Sequence, residues 1–279
     1  MEQDTNEIEM PQQEIAHADV AKHRPTLLFI ILGGFFVANT LVAEFIGVKI
    51  FALEDTFGWE PFNFNLFGQE GALQFSAGVL LWPIVFIMTD IINEYYGKRG
   101  IRLLTFLTAG LITYAFIMIF AAIWLAPADW WQTQYQSAGV PDMQKAFGAV
   151  FGQGLLIIIA SLSAFLLAQL TDVISFHRIK AVTGEDKIWL RATGSTVVSQ
   201  LVDTFVVLLI AFKWGPTLTG QFEPWSWGQL LAVATVQYTY KFLMAVVLTP
   251  VLYVAHDWID RFLGQELAQR MKAAATSWN

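Results

Sequence analysis

The sequence contains no cysteine and few charged residues. Of its 279 residues none is Cys, and 14% are Asp, Glu, Lys or Arg, whereas a typical soluble domain has about 25%. The absence of cysteine excludes disulfides, thiol chemistry and Cys-ligated metals. With 56% hydrophobic and 15% aromatic residues, the chain is too apolar to be disordered and too poorly charged for an ordinary soluble enzyme. The composition therefore predicts an integral membrane protein.

Much of the negative charge lies at the start of the sequence. The net charge is −7, and residues 1–26 hold six acidic side chains against two basic ones. A nucleic-acid-binding protein would need the opposite balance, so no nucleic-acid partner is expected. Residues 1–26 are expected to form an acidic, disordered cytoplasmic tail.

Six apolar stretches are long enough to be transmembrane helices. Crossing about 30 Å of hydrocarbon takes roughly 20 helical residues. The sequence predicts an all-α transmembrane domain over 27–254, with an outer loop at 49–74 and a cytoplasmic C-terminal tail at 255–279. Whether the outer loop forms a short hairpin or an interfacial helix is left open. The predicted spans are 27–48, 75–92, 103–125, 150–170, 192–212 and 230–254.

Lys and Arg in the connecting segments predict the orientation. From the N-terminal tail to the C-terminal tail their numbers are 2, 1, 3, 1, 4, 1 and 3. Cytoplasmic segments of membrane proteins are enriched in these residues. The alternation predicts six spans with both termini in the cytoplasm.

A few polar residues lie where lipid or packed helices are expected. A charge at the centre of a bilayer is costly, so each one is a functional candidate. Asp203 shares a helix face with Thr196, Ser199 and Gln200, at i, i+3, i+4 and i+7 spacing counted from Thr196. This face either lines a cavity or holds helices together. Lys241, near Tyr238, either forms a buried ion pair with Asp203 or faces a ligand. The charged residues within the predicted spans are Glu44, Asp90, Asp203 and Lys241.

Further polar residues lie at other depths. Asp90 and Glu94 are four residues apart, hence on one helix face, near the expected cytoplasmic end of the second span. Carboxylates at such an end can also simply reach water. Asn39 lies within the first span, where a helix–helix hydrogen bond is an equal alternative. Gln169 and Asp172 close the fourth span.

No enzyme motif is present. The sequence lacks the GxxxxGK[ST] phosphate loop and the HExxH metal motif, and its four histidines are not clustered. No catalytic residue, metal or cofactor is therefore expected.

Four sequence blocks resemble the queuosine precursor transporters of the vitamin-uptake transporter group. Asn39 fits an Asn in the first helix of that family. The resemblance covers residues 27–254 except the outer loop. The blocks are Trp82 to Gly97 with Thr89-Asp90, Gln169 to Val173 with Asp172, Gly194 to Thr196 with Asp203-Thr204 and Ile210 to Phe212, and Tyr240 to Phe242 with Pro250 downstream.

The resemblance implies a bacterial inner-membrane transporter that imports a 7-deazaguanine for queuosine modification of tRNA. The substrate would be the 7-cyano base, the 7-aminomethyl base or queuine. The N1–H and exocyclic amine of a deazaguanine lie side by side, and a carboxylate can accept hydrogen bonds from both. We expect Asp203 to accept these bonds, and Lys241 to neutralise Asp203 when the site is empty.

Two sets of site residues follow. The expected substrate-binding residues are Asn39, Ser199, Gln200, Asp203, Thr204, Tyr238 and Lys241. The expected coupling or gating residues are Thr89, Asp90, Glu94, Gln169 and Asp172. One alternative is a substrate-binding membrane subunit of an energy-coupling-factor importer, and another is a membrane enzyme or scaffold. The sequence leaves monomer and homodimer open.

Overall fold

The computed structural model describes residues 12–71, 73–152, 154–183, 188–220 and 223–277. Within them, five helices are long and apolar enough to cross a membrane, which confirms the prediction of an α-helical membrane protein. The count of six spans and the cytoplasmic location of the termini remain predictions. The five candidate spans are His23–Ile46, Trp82–Trp124, Met143–Thr183, Trp189–Thr219 and Trp227–Val247.

The first helix, α1 (Gln12–Ile46), begins inside the segment expected to be a tail. Residues 1–11 of that segment lie outside the described residues. Proline lies within the helix, at Pro25, and its carbonyl oxygen accepts a hydrogen bond of 2.7 Å from the hydroxyl of Tyr96. This contact joins α1 to the next long helix.

Two predicted spans lie in the 43-residue helical segment α3 (Trp82–Trp124), which consists of two helices joined at a kink. At 1.5 Å per residue such a segment is about 65 Å long, roughly twice the thickness of the hydrocarbon core. The helical path is interrupted at Gly97, where φ is 65° and ψ is −170°. Gly97 therefore divides α3 into the two segments that correspond to predicted spans 75–92 and 103–125.

The other helices complete the bundle. The π-helical turn Leu209–Trp214 continues α7 without a break, so that predicted span 192–212 lies within a longer helical segment. Two short 3-10 helices lie at Ala77–Leu80 and Gln136–Ala138. The remaining helices are α2 (Leu53–Phe57), α4 (Asp129–Gln132), α5 (Met143–Phe151), α6 (Leu155–Thr183), α7 (Ile188–Leu208), α8 (Gly215–Thr219), α9 (Trp227–Val247), α10 (Thr249–Leu263) and α11 (Gln265–Ser277).

The outer loop contains both elements that the sequence left open. It holds the short helix α2 and two antiparallel strand pairs, β1 (Ile50–Ala52) with β4 (Gln74–Ser76), and β2 (Phe64–Leu66) with β3 (Gln69–Gly71). Glu54 is 1% exposed, and its carboxylate accepts a 2.8 Å hydrogen bond from the backbone N–H of Leu73. The ring of Phe75 lies 4.9 Å from that of Tyr240, so the loop packs against α9.

The last predicted span ends earlier than expected. Helix α9 stops at Val247, and α10 starts at Thr249 with Pro250 in its first turn. Proline has no N–H and clashes within a helix but is tolerated at a helix start, which explains the break. The buried side chains of α10 are Leu252, His256, Ile259 and Leu263, spaced as one face of an amphipathic helix.

Two apolar clusters pack the bundle around α3. One joins α1, α3 and α6 through residues such as Phe36, Ile92 and Phe165. The other joins the first segment of α3 to α7, α10 and α11, and includes Tyr95 and Ala268. The two C-terminal helices therefore belong to the core on the side of α3 that precedes Gly97.

The predicted orientation can be tested with thiol labelling, since the native chain has no cysteine. Gln134 and Gln269 are both exposed and lie in segments expected on opposite sides. We expect a membrane-impermeant maleimide to label Gln134→Cys in intact spheroplasts, and Gln269→Cys only after permeabilisation. The reverse pattern would invert the topology.

Gly97 provides a test of the break in α3. An added Cβ would lie 3.1 Å from the Ala275 carbonyl oxygen of α11, and the φ and ψ of Gly97 lie in a region that is essentially restricted to glycine, so another residue there costs about 1–3 kcal/mol. We expect Gly97→Ala to lower the unfolding temperature in detergent. The control is Gly110→Ala in the same helix, where nothing lies within 4 Å of the added atom. Equal unfolding temperatures for the two variants would contradict the strained backbone at Gly97.

Candidate substrate site

A cavity lies between α3, α7, α9 and the start of α10. Its enclosed volume is about 20 Å³, about the space that one ordered water needs, so a ligand the size of a nucleobase fits only when the surrounding helices move apart. We call it the central cavity. Its lining residues are Trp82, Pro83, Phe86, Ile87, Asp90, Ala192, Thr193, Thr196, Gln200, Lys241, Ala245, Leu248, Thr249 and Leu252.

Helix periodicity explains the α3 wall of the central cavity. Trp82, Phe86 and Asp90 are four residues apart along α3, so their side chains lie on one face, one above the other. The wall thus combines two aromatic rings with one carboxylate. Flat aromatic faces of this kind are suited to stacking on a planar heterocycle.

The opposite wall, from α7, is polar. Ser195 and Thr196 donate hydrogen bonds to the two carboxylate oxygens of Asp90, at 3.3 and 3.5 Å. Gln200 is 3% exposed, and neither its amide oxygen nor its amide nitrogen has a hydrogen-bond partner among the described residues. An unsatisfied buried amide is costly, so a ligand or water that bonds to Gln200 is favoured in the central cavity.

Lys241 brings a positive charge to the same space. Its ammonium donates to Asp203 Oδ2 at 2.6 Å and to Thr204 Oγ1 at 3.2 Å. An ammonium group has three hydrogens, so one remains for another acceptor. Asp203 and Thr204 themselves are not among the residues that line the central cavity. The ion pair that the sequence offered as one alternative is therefore present, with Lys241 on the cavity side.

Of the seven expected substrate-binding residues, Gln200 and Lys241 line the central cavity. Asn39 donates to the Phe35 carbonyl of its own helix at 2.8 Å. Tyr238 donates to the Val197 carbonyl at 3.3 Å. Ser199 is fully buried and donates to Asp172 at 3.1 Å.

The expected coupling residues meet at the junction of α3, α6 and α7. Thr89 donates to Gln169 Oε1 at 3.2 Å, while Glu94 binds Arg191 at 2.6 Å and Lys180 at 3.3 Å. Asp90 belongs to this group and also reaches the central cavity. Asp172 accepts a hydrogen bond from Ser199 of α7 and does not line the central cavity.

Sequence reasoning left several wall residues out of the site. Trp82, Thr193 and Thr196 line the central cavity but were assigned no site role. The signal that points to Trp82 is its i, i+4, i+8 spacing with Phe86 and Asp90, which places Trp82 on the same helix face as the Asp90 carboxylate.

A second polar network joins α3 to the C-terminal helices. The Tyr95 hydroxyl donates to Asp260 at 2.6 Å and lies 3.1 Å from His256 Nδ1. Lys272 binds Asp260 at 2.8 Å. Burial lowers the pKa of His256 to about 3, and the charge of Lys272 acts in the same direction. His256 is therefore neutral at physiological pH.

Five apolar helices of membrane-spanning length among the described residues define a multi-pass α-helical membrane protein. A family model described as "Putative vitamin uptake transporter" matches residues 76–255, which include every residue that lines the central cavity. The chain belongs to this family of transporters.

Curated relatives cover most of the chain. It is 29% identical over 197 residues to a "Probable queuosine precursor transporter" of Bacillus subtilis (strain 168), which is 70% of this chain and 76% of that protein. It is 26% identical over 240 residues to a protein of the same description from Haemophilus influenzae (82% and 92%). The "Queuosine precursor transporter" of Escherichia coli (strain K12) is 27% identical over 176 residues (61% and 67%). No solved structure matches the chain significantly.

The Lys241–Asp203 pair makes a testable contribution to stability. Removing one partner of a buried pair costs about 3–5 kcal/mol, whereas replacing both with apolar residues can be neutral. We expect Lys241→Met to lower the unfolding temperature in detergent and Lys241→Met with Asp203→Leu to recover most of the loss. Additive effects of the two single changes would show that the pair is not coupled.

Proposed function

We propose that this protein is a bacterial membrane transporter that imports a queuosine precursor, and that the central cavity binds its 7-deazaguanine ring. The observation that carries the proposal is the presence of Asp90 and the unpartnered Gln200 amide in one cavity of a vitamin uptake transporter. The names of the three relatives support the same substrate.

The edges of the base match the polar groups of the central cavity. Asp90 is suited to accept hydrogen bonds from N1–H and the exocyclic amine, and such bonds to a charged acceptor are the stronger kind. The remaining hydrogen of Lys241 is suited to the O6 oxygen beside N1. Trp82 and Phe86 offer stacking faces. Asp203, proposed from the sequence as the reader of this edge, instead holds Lys241 in place.

Gln200 extends the proposal to the opposite edge of the ring. A free base has an N9–H donor next to the N3 acceptor, and a glutamine amide can bond to both. A nucleoside has no N9–H and carries a ribose there. A site that hydrogen-bonds a group rejects analogues that lack it, so Gln200 favours the free base over the nucleoside.

Transport without chemical change is part of the proposal. The central cavity contains one carboxylate and one ammonium among its lining residues, and the latter is engaged by Asp203 and Thr204. The alternative is the membrane subunit of an energy-coupling-factor importer. Uptake by the purified protein alone in liposomes would contradict that alternative.

The decisive experiment is complementation. A bacterial strain that can neither make nor import queuosine precursors receives the gene, and each precursor is supplied separately. We expect queuosine to reappear in tRNA with at least one of the 7-cyano base, the 7-aminomethyl base and queuine. No queuosine with any of them, in cells where the protein is present in the membrane, would refute the proposed function.

The role of Asp90 can be measured directly. A hydrogen bond to a charged group is worth about 1.5–3 kcal/mol, and 1.4 kcal/mol corresponds to tenfold in Kd. We therefore expect Asp90→Asn to weaken binding of the complementing precursor by roughly 10- to 100-fold in equilibrium binding to purified protein. The matched control is Glu44→Gln, a buried carboxylate that lies outside the central cavity and accepts from Ser161 at 2.5 Å. Equal losses in both variants would refute the assignment.

A further inference from the structure

Five ionisable side chains are buried together beneath the central cavity. Three are carboxylates and two are cations, and each residue is at most 3% exposed. If all five were ionised, this set would carry one uncompensated negative charge. The five are Asp90 and Glu94 of α3, Asp172 and Lys180 of α6, and Arg191 of α7.

Both cations bind the same carboxylate. Arg191 Nη2 lies 2.6 Å from Glu94 Oε1, and Lys180 Nζ lies 3.3 Å from Glu94 Oε2. Asp90 and Asp172 instead accept hydrogen bonds from serine hydroxyl groups. Asp172 Oδ2 is buried and has no hydrogen bond among the described residues. In the part of the chain that the structure describes, neither Asp90 nor Asp172 therefore forms an ion pair with a cation.

These two carboxylates lie beside the same face of α7. Ser195 donates to Asp90 and Ser199, one turn later, donates to Asp172. Ser195 also lies near the Asp172 carboxylate, and the charges of the two aspartates act on each other. Two adjacent buried carboxylates do not both ionise at neutral pH, because each charge opposes the other.

The hydroxyl groups beside the two aspartates can accommodate a proton on either carboxylate. Ser195 lies 3.3 Å from Asp90 Oδ1 and 3.1 Å from the Ala192 carbonyl, and Ser199 lies 3.1 Å from both Asp172 Oδ1 and the Thr196 carbonyl. A hydroxyl has one hydrogen but can also accept. It can donate to an ionised carboxylate, or turn to the carbonyl and accept from a protonated one.

We propose that Asp90 and Asp172 together hold one exchangeable proton, which resides on Asp172 when the substrate binds Asp90. The substrate's N–H donors need an ionised Asp90, so its arrival transfers the shared proton to Asp172 through the hydroxyl of Ser195, which contacts both carboxylates. Substrate and proton then enter the cell together, one to one. This inference rests on the proposed function for the identity of the substrate.

Other charged groups face the pair from the surrounding helices. Arg191 and Lys180 bind Glu94, and Lys241 binds Asp203, so no cation forms an ion pair with Asp90 or Asp172 among the described residues. The ionisable groups around the pair are Glu94 on α3, His177 and Lys180 on α6, Arg191 on α7, Lys241 on α9 and His256 on α10.

The test is Asp172→Asn in liposomes. Two carboxylates and two cations remain in the variant, so the buried charges balance without a proton and the fold is retained. With the inside one pH unit more alkaline and the membrane potential held at zero, one proton per substrate allows up to about tenfold accumulation. We expect wild type to approach this ratio and Asp172→Asn to fall to about one, while the variant still binds the precursor. Glu44→Gln is the matched control and should accumulate as wild type does.

A second readout does not need the substrate. Infrared spectra of the purified protein should show the carbonyl stretch of one protonated carboxylic acid that Asp172→Asn removes and Glu44→Gln retains. If wild type does not bind any precursor, the proposed function is refuted. The infrared band then still tests whether Asp90 and Asp172 share a proton. Wild-type accumulation in Asp172→Asn, a dependence on a sodium gradient instead, or a band that survives Asp172→Asn would overturn the inference.

Discussion

The ion pairs of Glu94 with Arg191 and Lys180 hold together the part of the bundle on which the rest depends. They join α3, α7 and α6 at a place where all three side chains are almost completely buried. A charge without a partner in such surroundings costs several kcal/mol. The three helices can therefore pack in only those arrangements that bring these side chains into contact, and the polar face of α7 is thereby directed at α3 and α6.

Helix α7 connects the two polar systems of the protein. Ser195, Thr196 and Ser199 contact the carboxylates of α3 and α6, while Asp203 and Thr204, further along the same helix, hold Lys241 of α9. Gln200 lies between these sets and faces the central cavity. A change in the position of α7 would act on both systems at once, which suits a protein that must expose one site to two sides of a membrane.

The sequence predicted the class of the protein and the position of most long helices along the chain, because these depend on local composition. Apolar length identifies a span, and Lys and Arg counts predict its direction. The pairing of Asp203 with Lys241 was also foreseeable, since two opposite charges at similar depth rarely remain apart in lipid. The break at Gly97 was not, because glycine is common in transmembrane helices and its backbone conformation depends on contact with α11.

The site was predicted less completely, for a geometric reason. Periodicity tells which residues of one helix share a face, but the neighbour that the face meets depends on the rotation of each helix in the bundle. Asp203 was expected to reach the ligand and lies behind Lys241, whereas Asp90 was expected to serve coupling and lines the central cavity. Thr89 and Gln169, which the sequence placed in one group, form a hydrogen bond with each other.

The close approach of Gly97 to Ala275 also bears on how the protein is made. The α3 break is covered by a helix that leaves the ribosome more than 150 residues later. Until α11 has been synthesised, Tyr95 lacks Lys272 as a neighbour, and the apolar cluster beneath the central cavity is incomplete. The contacts around Gly97 therefore form only after the end of the chain has been synthesised, and a nascent chain arrested before α11 would lack them.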